Sequence, residues 1–233
     1  MTINSANLQA NLHAVRMRIA GAASACGRSP HSVQLLAVSK TWPAASVRAA
    51  AAAGQSDFGE SYLQEALAKM AELADLAPAL CWHFIGPLQS NKTQAVAAHF
   101  AWVHSVDRDK IAQRLNDQRP ADLPPLQVCL QVNISGEASK SGVAPAAIAA
   151  LAATVAALPR LRLRGLMAIP EACTDPLAAR LPFARLRDLL ERLNSTGLKL
   201  DTLSMGMSDD LEAAIAEGAT MVRVGTAIFG VRA

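Results

Sequence analysis

Leu8, Leu12, Val15 and Ile19 recur at helical spacing near the N-terminus, with polar residues between them. Beyond that first helix the pattern switches repeatedly between short apolar runs, which predict strands, and longer amphipathic stretches, which predict helices. The strands fall at Val33–Ser39, Ser56–Phe58, Cys81–Ile85, Ala101–His104, Leu126–Asn133, Leu163–Met167, Lys199–Ser204 and Met221–Val224. The intervening helices run over Ala44–Ala53, Tyr62–Leu76 and Lys92–Ala98, then from an N-cap at Asp107 to Asn116. An alanine-rich helix from Pro145, one over Leu177–Asn194 and one over Asp209–Glu217 complete the set. Arg119–Pro125 reads as a surface connection.

Eight strands, each followed by a helix or helical turn, are the repeat of a TIM-type (β/α)8 barrel, here with an extra N-terminal helix and one domain over residues 1–233. A doubly wound open sheet shares this alternation. No G-x-G-x-x-G follows the first strand, and eight units suit closure better.

Composition narrows the partners. Half the residues are apolar and the net charge is only +3, so a soluble domain with ample core is expected and nucleic acid is not. The nearest basic run, Arg160 to Arg164, has a period of two and is expected to turn its polar face to solvent or a covering helix. The longest uncharged run, Val143–Pro159, is too short and alanine-rich to span a bilayer. Cys26, Cys81, Cys129 and Cys173 are scattered with no C-x-x-C pair, which predicts a reduced cytoplasmic protein without a zinc site. Arg16 and Arg18 interrupt the first helix, so it is no signal peptide.

The candidate chemistry begins where the first strand ends. Leu35-Leu-Ala-Val-Ser-Lys40 is an apolar strand running into a lysine. A lysine desolvated at a strand end has a larger neutral fraction, the form that attacks a carbonyl carbon. It reads either as a Schiff-base amine or as a strand-end lysine that reaches water or pairs with Asp57 or Glu60. In a barrel the active face is the C-terminal end of the strands, and phosphate is held by the loops after strands seven and eight. Those loops are Ser204-Met-Gly-Met-Ser208 and Arg223-Val-Gly-Thr226, each with a glycine and hydroxyl donors. Asp209 followed by Glu212 is a capping pattern for the helix that follows. His83, Asn133 and Met167 also fall at strand ends on this rim, His83 as structural residue or catalyst and Met167 as a pocket wall. Glu60 and Glu65, around Tyr62, are candidates to support the site. Lys140 is a loop lysine that either steers anions or is solvated.

Taken in order, Val38-Ser-Lys40, Phe58-Gly-Glu-Ser-Tyr-Leu-Gln-Glu65, His83-Phe-Ile-Gly-Pro-Leu-Gln-Ser-Asn-Lys92, Val132-Asn-Ile134, Gly165-Leu-Met167, Leu203-Ser-Met-Gly-Met-Ser208 and Arg223-Val-Gly-Thr-Ala-Ile-Phe-Gly230 resemble the pyridoxal phosphate homeostasis proteins. That family is similar to the barrel domain of alanine racemase. The resemblance implies an aldimine between Lys40 and pyridoxal 5′-phosphate (PLP). It implies that Ser204, Met205, Gly225 and Thr226 hold the phosphate and that Arg223 faces the pyridine nitrogen. Ser61, His83, Asn133 and Met167 complete the expected cofactor-binding set. The family usually has asparagine where Ser61 stands, which implies a shorter or water-mediated contact.

A guanidinium donates to the ring nitrogen without protonating it, which leaves the ring a poor electron sink. Racemisation needs an acid/base group on each face of the substrate, and in the related racemases one comes from a second domain that this sequence lacks. The expectation is therefore a monomeric carrier or buffer that holds PLP, releases it to apoenzymes and serves vitamin B6 balance, with no catalytic residue and no metal. The alternatives are an amino-acid racemase of low activity and a barrel enzyme acting on phosphorylated sugars through Lys40.

Overall fold

Strand β1 (Gln34–Val38) pairs in parallel with β2 (Asp57–Glu60) on one side and with β8 (Met221–Val224) on the other. Between them run β3 (Cys81–Phe84), β4 (Trp102–Val106), β5 (Leu126–Gln131), β6 (Leu161–Met167) and β7 (Thr202–Ser204), and the eight close into a barrel in sequence order. This computed structural model describes residues 5–136, 141–171, 173 and 175–231. Closure settles the choice between barrel and open sheet that alternation left open.

The helices between strands are α2 (Ala44–Ala52), α3 (Leu63–Glu72), α4 (Thr93–His99), α5 (Asp109–Gln118), α6 (Ile148–Ala156), α7 (Pro176–Ser195) and α8 (Leu211–Ala216). A ninth, α9, spans only Thr226–Phe229. Helix α1 (Ser5–Ala25) buries Leu8, Leu12, Val15, Ile19 and Ala23, the stripe its spacing dictates, and packs on α2, α8 and α9. Because α9 is a single turn, α1 fills the outer ring where the last barrel helix stops short. Asn11 donates to the Ile228 carbonyl at 3.0 Å and ties the two together.

Apolar side chains such as Phe58, Phe84, Phe100, Val103 and Leu130 form the core. Glycine matters most at Gly165, where an added Cβ would lie 1.8 Å from the Thr202 carbonyl oxygen, so only glycine lets β6 and β7 pair.

Several local expectations fail for identifiable reasons. Asp107 does not cap α5: its carboxylate pairs with Arg108 at 2.6 Å and Arg108 precedes the helix. Asp209 and Glu212 do not form a capping box either, since Glu212 pairs with Arg18 of α1 and the Asp210 carboxylate takes the Met207 N–H. The sixth strand starts at Leu161, two residues before the expected start, and of the basic run Arg160 and Arg162 are exposed while the third residue is the partly covered Arg164. It lies 5.0 Å over the Trp102 ring and pairs with Asp201 at 2.7 Å.

Candidate functional site

At the C-terminal ends of the strands lies a cavity of about 230 Å³. Val38, Lys40 and Trp42 form one wall, and Ser61 and Ile85 a second. Met207, Ser208, Asp209, Gly225 and Thr226 form the side contributed by the last two loops, and Arg223 also lines it. So Lys40, Ser61, Arg223, Gly225 and Thr226, all singled out in the sequence, share one wall system.

Lys40 is set by the turn after β1. Thr41 adopts φ 69°, a left-handed conformation that a β-branched residue takes only when its surroundings hold it there. The hold is electrostatic. Lys69 of α3 donates to the Ser39 carbonyl at 2.7 Å, to Glu60 at 2.8 Å and to Glu65 at 2.6 Å, and Glu65 accepts the Thr41 N–H at 2.5 Å. Ser39 also donates to Glu60 at 2.7 Å. Burial raises the Glu60 carboxyl above its ordinary value while Lys69 opposes the shift. Glu60 is therefore paired by Lys69, a residue that no pattern in the chain singles out.

The wall contributed by β7 and β8 is shaped by backbone. Pairing of β7 with β8 continues past Ser204, with the Met205 N–H on the Met221 carbonyl and the Arg223 N–H on the Gly206 carbonyl. The turn therefore begins at Gly206, whose φ of 94° and close approach to Ala214, 2.6 Å from an added Cβ, both require glycine. Ser208 accepts the Ala227 N–H at 3.4 Å and links the two loops. Gly225 packs on β1, where a Cβ would meet the Val38 oxygen at 3.1 Å. Likewise Gly86 makes room for Ser61, whose carbonyl would lie 2.3 Å from an added Cβ.

Arg223 is 4% exposed, and burial pushes its guanidinium down to about 10, so it remains charged at neutral pH. It donates to the carbonyls of Ser204 and Ala168 and to the Ser204 hydroxyl at 2.8 Å. Among the described residues none of these partners is a carboxylate. Of its five N–H donors, Nε–H and one on Nη2 lack a protein acceptor among the described residues. A buried cation with spare donors on a cavity wall suits a ligand that brings acceptors.

Five candidates lie elsewhere. Met205 is fully buried, and the residues of that loop that line the cavity are Met207, Ser208 and Asp209. Ser204 points into the barrel, towards Arg223 and His104. Met167 is buried at the end of β6, and Ile169 rather than Met167 lines the cavity. Asn133 turns its side chain to the Gly136 N–H. His83 is fully buried between Asp57 and His104 inside the barrel. Lys140 lies outside the described residues. Asp209 lines the cavity, although the sequence suggested only a cap. Tyr62 is 54% exposed and is not among the lining residues.

Comparison with known proteins bears out the barrel and shows the family. The family described as alanine racemase, N-terminal domain, matches residues 3–233. A pyridoxal phosphate homeostasis protein of Pseudomonas aeruginosa is 68% identical over 222 residues, which cover 95% of this chain and 94% of that one. The crystal structure of an unknown protein from Bifidobacterium adolescentis superimposes with a TM-score of 0.88 at 36% identity, covering 98% of each chain. PipY of Synechococcus elongatus, solved with PLP bound, superimposes with a TM-score of 0.80 at 42% identity, covering 91% of this chain and all of that one.

Proposed function

Since this chain belongs to the pyridoxal phosphate homeostasis protein family, within the wider alanine racemase N-terminal domain family, we propose that it binds PLP in the cavity beside Lys40 and buffers the cofactor. The observation that carries this reading is that one amine, one buried guanidinium with spare donors and two glycine-bearing loops border a single cavity. That donor set fits PLP, which when bound supplies an aldehyde, a ring nitrogen and a phosphate.

Each residue then has a task. Lys40 would supply the Nζ that holds the cofactor through its aldehyde. Ser208, Gly225 and Thr226 offer hydroxyl and backbone donors to the phosphate. Arg223, charged at neutral pH, would donate to the ring nitrogen and so leave that nitrogen without a proton. Such a ring withdraws electrons weakly, which favours holding and releasing the cofactor over turnover. Trp42, stacked on Phe229 at 5.9 Å, walls the amine side. Release to PLP-dependent apoenzymes by a cytoplasmic monomer is the role that follows.

The test is absorbance of the PLP-loaded protein before and after borohydride, beside Lys40→Ala. The wild type is expected to show a visible band that borohydride bleaches and fixes to protein, and Lys40→Ala none. An unchanged band in Lys40→Ala would contradict the assignment. Racemisation of L-amino acids at ordinary enzymatic rates would replace the buffer with an enzyme.

A further inference from the structure

Branched apolar side chains ordinarily dominate the inside of such a barrel. Here a line of polar groups crosses it. Asp57, the first residue of β2, lies 3.1 Å through Oδ1 from His83 Nε2. His83 Nδ1 lies 3.0 Å from His104 Nε2, and His104 Nδ1 lies 2.8 Å from the Ser204 hydroxyl. Ser204 in turn is 2.8 Å from Arg223 Nη1. β4 and β7 are not neighbours in the sheet, so the His104–Ser204 step spans the lumen. The line thus joins the mouth opposite the cavity to the cation that lines it.

Its proton positions follow from its ends. A guanidinium has no acceptor, so Ser204 must accept from Arg223 and has its single O–H free for His104 Nδ1. A carboxylate has no donor, so His83 must give Nε2–H to Asp57. With both imidazoles neutral, the remaining proton lies on His104 Nε2 and points to His83 Nδ1. Every step then donates in one direction, from Arg223 to Asp57. Burial lowers both histidines from their ordinary value, and His83 and Arg223 lower His104 further. Cys81 Sγ also approaches His83 Nε2, at 3.4 Å, and with Asp57 these atoms lie within 4.8 Å of one another. That set has zinc-ligand chemistry, but zinc needs the Nε2 lone pair that the relay occupies with a proton.

We propose that Asp57, His83, His104 and Ser204 are positioning residues, joined in one polarised hydrogen-bond relay that holds Arg223 facing the cavity. The proposal rests on the PLP reading only for what Arg223 meets there. Nitrogen-15 NMR of the unloaded protein reads the relay directly: both histidines are expected as neutral Nε2–H tautomers at pH 7. An Nδ1–H tautomer at either histidine, or zinc displacing the His83 signal, overturns the relay.

On the loaded protein, Asp57→Leu is expected to shift the absorbance maximum and to release PLP about fivefold faster, although Asp57 is at the far mouth. Asp57→Asn keeps an acceptor and should restore the wild-type spectrum. Ser204→Ala, which deletes one atom, is expected to show the same faster release and serves if Asp57→Leu does not fold. Wild-type spectrum and release in both Asp57→Leu and Ser204→Ala overturn the proposal. Should the wild type take up no PLP, the functional reading fails, while the tautomers still decide the relay.

Discussion

The two sides of the cavity are held in place by different physics. On the β1–β2 side, charged side chains do the holding: Lys69, Glu60 and Glu65 fix the turn that carries Lys40. On the β7–β8 side the holding is done by backbone, through continued strand pairing and glycines at 206 and 225 that no other residue can replace without movement. The first arrangement is adjustable by charge and pH, the second only by changing atoms. A reactive amine needs a tuned surrounding, whereas a phosphate asks mainly for N–H groups at a fixed radius.

The largest effect that separates the two sides is expected from Lys69→Met. It strands the buried Glu60 carboxylate, whose Oε2 already has no hydrogen-bond partner among the described residues, and should cost about 4 kcal/mol by denaturant unfolding. The double variant Lys69→Met/Glu60→Gln should recover most of that loss. Without recovery, the charge pairing is not what stabilises this side.

Next in size is Gly206→Ala, expected to cost about 2–3 kcal/mol because its φ of 94° and the clash with Ala214 act together. Charge changes should not rescue it. Restored stability in Gly206→Ala/Ala214→Gly would show that the clash outweighs the backbone strain.

A smaller effect is read from pH. His83 and His104 have folded values lowered from 6.5 by burial, so below pH 6.5 the unfolded chain takes up protons that the folded chain refuses. Their stabilisation is present above pH 6.5 and falls as pH drops, by at most about 1.4 kcal/mol per pH unit per histidine. Glu60 acts in the opposite sense. Its value is raised above 4.5, so its contribution is present in acid and is lost as pH rises through the folded value. Urea titrations at several pH values check both: Glu60→Gln should steepen the net rise of stability with pH, and His104→Asn should flatten it.

Much of this was legible in the sequence, for reasons that also explain the rest. Period and breakers located all eight strands, because apolar runs bounded by glycine, proline and charge have few other readings. Lys40 stood out as a candidate because a charge ending an apolar strand is costly unless paired or used, and the structure puts it on the cavity wall. The four-residue α9 was missed, since Thr226–Phe229 is too short to show a helical period. Lys69 was invisible because a lysine inside a helix ordinarily faces water, and only the fold brings Glu60 beneath it. That Met207 and Ser208 line the cavity where Ser204 and Met205 do not is hidden from the sequence, because nothing in the chain announces that β7 keeps pairing as far as Gly206. The sequence pointed to His83 as a rim residue and offered no partner for it, because the line that holds it crosses the lumen and joins residues a hundred positions apart.

The most direct test of the central claim is borohydride reduction of the PLP-loaded wild type, then digestion and mass spectrometry of the peptides. The reduced cofactor is expected on the peptide carrying Lys40, in near one-to-one amount. Its appearance on Lys69, Lys92 or Lys140 instead, or on no lysine, would contradict the account.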